Sequence, residues 1–237
     1  MGSPRTSDHR LDRLGERALL LRVDAQARVH AIADALMDDL RAGSLDDVVP
    51  GDRSLLLLFD GTDTGERAAR GALGGAIERV RAAGSIDTRS TPRHRVIPVA
   101  YGGRDGPDLE ATASLAGVTA AELIELHTGR DHAVLFLGFA PGFAYLGEVA
   151  AGIVMPRLTT PRTTTRAGSV ALAEAYTGIY PASLPGGWRV IGWTPVVLFD
   201  PAADPPTYLA PGDTVRFERV AADELPTAPY RPADWSG

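Results

Sequence analysis

Two Pro-Arg pairs lie five residues apart in Met155-Pro156-Arg157-Leu158-Thr159-Thr160-Pro161-Arg162. A guanidinium is a rigid fork that matches carboxylate or phosphate, and a neighbouring proline stiffens the backbone that carries it. Arg157 and Arg162 therefore read as anion-binding residues, against the alternative of a surface loop paired with acidic neighbours. A second segment, Gly138-Phe139-Ala140-Pro141-Gly142-Phe143-Ala144-Tyr145-Leu146-Gly147, places three aromatics in seven positions of a turn-rich run. It reads either as a pocket wall, where Phe139, Phe143 and Tyr145 meet a small polar ligand, or as an apolar plug closing a barrel end. A third segment holds Tyr180 in Thr177-Gly178-Ile179-Tyr180-Pro181 and Trp188 after Pro185-Gly186-Gly187. Pro-Gly-Gly sets a sharp turn and lets backbone approach a neighbour closely. Trp188 reads as a core anchor or a pocket lid.

Proton transfer needs a titratable group, and His127, at the end of a predicted helix with His132 five residues on, is the candidate general base. No His-x-His or His-Glu-x-x-His pattern occurs, so no metal site is expected. Absences narrow the chemistry further. Cysteine is missing, which excludes disulfides, thiol nucleophiles and Cys-ligated metals. All 24 basic residues are arginine, which excludes Schiff-base, P-loop and biotin-carrying lysines. Neither a Gly-x-Ser-x-Gly elbow nor a Gly-x-Gly-x-x-Gly loop is present.

The elements that must position these residues fall into two groups. Ala18–Val23 reads as a strand, 28–40 as an amphipathic helix ended by Gly43, Val48–Val49 as a brief strand, 54–59 as a strand, 66–83 as a helix stopped by Gly84, and 93–100 as a strand. Residues 1–10 read as an unstructured lead. This order suits a small split βαβ sandwich of ferredoxin-like type. After Tyr101 the character changes. Asp108 is the expected N-cap of a helix to about Leu115, and Thr119 with Glu122 has capping-box spacing for a second helix to His127. Strands are then expected at 133–139, 169–172, 188–191, 196–199 and 215–220, which is a β-barrel profile. The expected class is α+β: an N-terminal α+β domain over 11–92, a β-barrel domain over 93–222 and an extended tail over 223–237.

Bulk properties agree with a soluble enzyme or binding module. A net charge of -6 argues against a nucleic-acid binder. The longest apolar runs are strand-length and Met1–Leu14 has no apolar signal core, so the chain reads as cytoplasmic.

Taken in order, the three segments resemble the KipI/allophanate hydrolase subunit 1 family, which also includes the B-type 5-oxoprolinase subunits. Ile97-Pro98-Val99-Ala100-Tyr101-Gly102-Gly103, Gly106-Pro107-Asp108-Leu109, Glu122–His127, Ala167-Gly168-Ser169-Val170 and Pro211-Gly212-Asp213 add to the likeness. The resemblance implies a cyclophilin-like C-terminal barrel and a partner of the allophanate hydrolase subunit 2 type, which is the C-type 5-oxoprolinase subunit. With a third, A-type subunit, such a complex opens 5-oxoproline to glutamate using ATP. Other members imply alternatives: a carboxyltransferase-type component of urea and allophanate metabolism, or a regulatory module that inhibits a sensor histidine kinase. The chain departs from the family pattern at four places. Glu174-Ala175-Tyr176 replaces Gly-Gly-Gln, Leu184 replaces Ser or Thr, Trp193 replaces Arg, and Thr165-Arg166 replaces Val-Pro.

Overall fold

The computed structural model describes residues 9–83 and 92–235, and it divides into two compact units, 1–91 and 92–237. In the first unit, strands β1 (His9–Leu14) and β2 (Ala18–Val23) form a hairpin, followed by helix α1 (Gln26–Arg41), strands β3 (Asp47–Pro50) and β4 (Ser54–Leu58), and helix α2 (Asp63–Ala83). The sheet order is β1-β2-β4-β3, antiparallel throughout. Alternation sets its faces: Leu19 and Leu21 of β2 and Leu55 and Leu57 of β4 are buried, with Val29, Ile32 and Leu36 of α1 and Leu73 of α2 packed on them.

Two expectations change here. His9 and Arg10, placed in the unstructured lead, open β1, whose six residues pair with β2 in register. Residues 1–8 and Gly84 lie outside the described residues. The strand at 93–100 does not complete this sheet. It is β5 (His94–Tyr101) of the second unit, and β1 occupies the edge beside β2 instead.

The second unit contains a closed seven-stranded barrel. After β5 come helices α3 (Leu109–Ala116) and α4 (Ala120–Thr128). The strands continue with β6 (Asp131–Leu137), β7 (Ala144–Gly147), β8 (Arg162–Thr165), β9 (Ser169–Ala173), β10 (Tyr176–Ile179), β11 (Leu184–Gly186), β12 (Arg189–Trp193) and β13 (Thr214–Arg219). Going round, the order is β10-β7-β6-β13-β5-β12-β9, with only β13 and β5 parallel among these neighbours, while β8 and β11 form a separate ribbon. Closure removes exposed strand edges. Ile97, Val99, Val134, Leu146, Val170, Leu172, Ile191 and Phe217 share the barrel core with Leu109 of α3 and Leu123 of α4.

The helix caps divide. Thr119 makes the expected capping box: its hydroxyl accepts from Glu122 N–H, and the Glu122 carboxylate accepts from Thr119 N–H at 2.7 Å. Asp108 makes no side-chain cap. The expected strand at 196–199 is irregular, joined only by single bridges from Val196 to Tyr230 and from Phe199 to Thr207. Among the described residues the C-terminal stretch has no regular element after β13, but it is not loose: Trp235 is buried and its indole N–H donates to the Pro205 carbonyl at 3.0 Å.

Candidate functional site

Glycines let the aromatic segments converge. Chain reversal between β6 and β7 is tight: Phe143 N–H donates to the Ala140 carbonyl, Gly142 sits at φ +81°, and a Cβ there would come 2.7 Å from Phe199. At Gly186 a Cβ would lie 2.1 Å from the Tyr180 hydroxyl, so that glycine makes room for Tyr180 rather than for a ligand.

The result is a second apolar cluster at the barrel wall. Phe143, Tyr180 and Trp188 are buried together, with Tyr145 and Tyr176 packed against them. Phe143 contacts Tyr145, Tyr180 and Trp188 edge-to-face at ring centroid separations of 5.1, 5.5 and 5.3 Å. Phe139 differs: it is 58% exposed and holds the left-handed conformation at φ +69°. That conformation is costly for an aromatic residue and persists where surrounding structure enforces it. Burial raises the pKa of the Tyr180 and Tyr145 phenols, and both rings lie within electrostatic reach of Arg157.

The two arginines stand differently. Arg157 is half-exposed and pairs at 3.4 Å with Glu174. Glu174 occupies the tip of the β9–β10 hairpin at φ +54°. Arg162, less exposed, donates to Asp108 at 2.6 Å through one terminal nitrogen. Its other terminal nitrogen, Nη1, is buried without a hydrogen-bond partner. Asp108 is the residue whose role the sequence hid. One carboxylate oxygen takes Arg162 and the other takes the Val190 N–H at 2.7 Å, so it links the α3 entrance, β8 and β12. Its place in Gly-Pro-Asp-Leu marked a helix start, but nothing local revealed partners 54 and 82 residues away.

His127 is buried completely. The Thr177 hydroxyl donates to the Ala171 carbonyl at 3.2 Å, so it accepts the His127 Nε2–H at 2.8 Å. His127 Nδ1 then accepts from the Tyr101 hydroxyl at 2.8 Å. The ring stacks on Phe217 with centroids 4.5 Å apart. His132 Nε2–H donates to the His127 carbonyl at 2.9 Å, and His132 Nδ1 is buried without a partner. Burial holds the pKa of His127 well below its usual value, and His132 adds repulsion between the two protonated forms. Burial also lowers that of His132. Both nitrogens of His127 are thus engaged inside the barrel, and the structure does not bring this ring to the aromatic cluster's open side. Thr177 belongs to one sequence motif and Tyr101 to another, and only the barrel closure joins them to His127.

Two of the hollows among the described residues of this unit bear on the site. One of about 510 Å³ is lined by Tyr101, Gly103, Arg104, Arg219 and Glu224 among others. A smaller one of about 150 Å³ is lined by Arg104, Asp105, Arg162, Thr165, Arg166 and Trp193 among others. Arg162 is the one expected site residue that lines either of them. Among the described residues no group of three or more His, Asp or Glu is placed to hold a metal ion, and no helix is long and apolar enough to cross a membrane.

The family model for the carboxyltransferase domain, subdomain C and D, matches residues 9–209. The chain belongs to this family. The B-type 5-oxoprolinase subunit of Bacillus subtilis (strain 168) is 35% identical over 228 residues, covering 91% of this chain and 95% of the relative. Its counterpart in Escherichia coli O157:H7, also a B-type 5-oxoprolinase subunit, is 36% identical over 212 residues, covering 86% and 93%. Among solved structures, the conserved uncharacterized protein PH0987 from Pyrococcus horikoshii superposes with a TM-score of 0.54 at 35% identity, covering 90% of this chain and 99% of that one. The carboxyltransferase-family match spans both units, so the N-terminal sheet and the barrel belong to one shared arrangement of sequence.

Proposed function

We propose that this chain is the B-type subunit of an ATP-dependent 5-oxoprolinase-type complex, in which it helps open a small cyclic amide bearing a carboxylate. One structural observation carries the reading beyond family membership: Arg162 pairs across the β8–β11 ribbon with Gly186, which packs directly against the Tyr180 hydroxyl of the aromatic cluster. Aromatic walls exclude water, and a guanidinium donor beside them is worth more in that low-dielectric setting than in bulk water. In this reading Arg162 holds the substrate carboxylate through its unpartnered nitrogen, and Arg157 steadies negative charge at the edge. Phe139, Phe143, Tyr145, Tyr180 and Trp188 form the dry wall.

His127 acts here as a positioning residue. A general base must come within hydrogen-bond reach of the proton it takes. His127 instead aligns Thr177 on β10, between the aromatic motifs. ATP supplies the driving force in such a complex. The chain has no lysine and no P-loop, so it lacks the usual cradle for a nucleoside triphosphate. Nucleotide handling therefore falls to the partners, a C-type protein (the subunit 2 type of allophanate hydrolase) and a third, A-type protein, in a cytoplasmic assembly. The finer fold follows the same family logic. The barrel is read as cyclophilin-like, and the N-terminal unit as a split-βαβ variant, supported by β4 lying between β2 and β3.

The test is glutamate release from 5-oxoproline and ATP by the purified complex. Arg157→Ala with Arg162→Ala should raise KM and lower turnover by about tenfold or more. Unchanged kinetics reject the roles given to both arginines. The exposed, left-handed Phe139 also supports a second reading, a regulatory module that docks on a sensor histidine kinase. Inhibited kinase autophosphorylation, lost in Phe139→Ala, would favour it over the enzyme.

A further inference from the structure

The small hollow holds features that the oxoprolinase-type reading does not use. Its wall includes the turn from Arg166 to Ser169, closed by a Ser169 N–H to Arg166 carbonyl bond of 3.1 Å. Gly168 stands in that turn at φ +82°, where a Cβ would lie 2.0 Å from the Thr194 carbonyl oxygen, so the backbone path is fixed. The turn sets the Arg166 guanidinium 3.9 Å above the Trp193 ring, and the Trp193 indole N–H is anchored on the Ala167 carbonyl at 2.9 Å. A guanidinium stacked this way is oriented, with its in-plane donors directed outward. Asp105 takes one of them at 3.1 Å and also approaches Arg104 at 3.9 Å. Arg162 brings a third guanidinium to the lining, held by Asp108 at 2.6 Å.

We propose that this hollow is a binding site for a small anion, a carboxylate or a phosphate, with Arg166 as its specificity-determining residue. Three arginines face two carboxylates around it, which leaves a net positive charge for a guest. At about 150 Å³ it falls below the roughly 300 Å³ of a typical drug-sized pocket, so it suits a compact anion and not a nucleotide. Thr165, Arg166 and Trp193 all line it, so the stacked guanidinium faces the hollow's own wall. The hollow shares Arg162 with the proposed substrate site and to that extent rests on that reading, but it excludes Arg157 and the aromatic cluster; binding is measured on the full chain alone, without partners, ATP or turnover, so failure of one reading is distinguishable from failure of the other.

Sodium phosphate and sodium acetate are titrated separately into the full-length protein at constant ionic strength, with tryptophan emission as the readout. A saturable change with either probe is expected, because an anion on Arg166 alters the field at Trp193. A response to phosphate alone assigns a phosphate guest, and one to acetate alone assigns a carboxylate. Arg166→Ala should weaken binding about tenfold or more, as expected for one charge-assisted contact. Asp105→Asn should tighten it several-fold by removing the competing internal acceptor. Trp193→Phe should silence the emission change while calorimetry still detects binding. Absence of saturation with both probes, or affinity unchanged in both Arg162→Ala and Arg166→Ala with circular dichroism preserved, overturns the proposal.

Discussion

Mild acid should destabilise the barrel unit before it titrates most carboxylates, and two histidines are the reason. His127 and His132 are wholly buried, and burial lowers the pKa of both. In the unfolded chain each takes a proton near pH 6.5. Below that pH the unfolded state binds more protons than the folded one, so stability falls as pH falls. For a histidine still neutral in the folded chain at pH 5, the unfolded state gains RT ln(1 + 10^1.5), about 2 kcal/mol. His127, held well below its usual pKa by burial, approaches that limit. His132 adds to it, since a proton on Nδ1 would have no acceptor. The expected loss between pH 7.5 and 5 is thus about 2–4 kcal/mol, a large share of the 5–15 kcal/mol of a typical domain. Carboxylates titrate lower, near pH 4, and leave this window clear. The assay is urea denaturation followed by tryptophan emission. Trp188, Trp193 and Trp235 all lie in the second unit, so the signal reports the barrel alone. A His94→Gln background removes the exposed histidine beside Asp131. His127→Gln should shrink the pH dependence by about 2 kcal/mol, whatever its effect on stability at pH 7.5. Stability that is flat or rises from pH 7.5 to 5 would refute the assignment of buried neutral rings.

Three further outcomes follow from single positions. Asp213 is buried and accepts from Arg93 at 2.8 Å, from Arg93 N–H at 3.0 Å and from Ala210 N–H at 3.0 Å. Asp213→Ala should cost about 3–5 kcal/mol in urea denaturation, because it orphans a guanidinium and two amides. Glu174→Gly should cost nothing or add up to about 1 kcal/mol of stability, since relief of a left-handed non-glycine residue offsets the entropy of glycine. A clear destabilisation by differential scanning calorimetry would instead give the Arg157 pair the larger weight. Gly168→Ala should cost about 4 kcal/mol or more, because its Cβ meets the Thr194 carbonyl at 2.0 Å on a left-handed backbone; a soluble variant with unchanged melting temperature would show that this turn yields easily.

Local patterns carried much of the fold. Helices α1, α2 and α4 lie where apolar spacing and capping placed them, and α4 opens with the expected Thr119–Glu122 box. Strand β1 was not legible, because His9-Arg10-Leu11-Asp12-Arg13-Leu14 has too few apolar residues to declare itself. It exists through its hairpin with the apolar β2. The short β7, β10 and β11 carry three or four residues each, too few for a period to show. Assignment of β5 to the barrel depends on its parallel pairing with β13, about 120 residues later, which no local signal encodes.

The site was legible in residue type and not in arrangement, and the barrel explains the difference. Aromatic segments separated by some forty residues converge because β7 and β9 flank β10, so Phe143, Tyr145 and Tyr180 gather without any sequence period linking them. Charged residues obey a different logic. In a chain whose cations are all arginine, each guanidinium needs acceptors, and the fold brings them from elsewhere in the chain: Glu174 for Arg157, Asp108 for Arg162, Asp105 for Arg166. What sets an arginine apart as functional is then not its neighbours in sequence but the acceptor it still lacks. Arg157 is half-exposed and paired, so water can complete its shell. Arg162 keeps a buried nitrogen with no acceptor, beside a hollow that also receives Arg166. In the proposed reading Arg162 is therefore the stronger of the two Pro-Arg candidates, and Arg162→Ala should impair the complex more than Arg157→Ala.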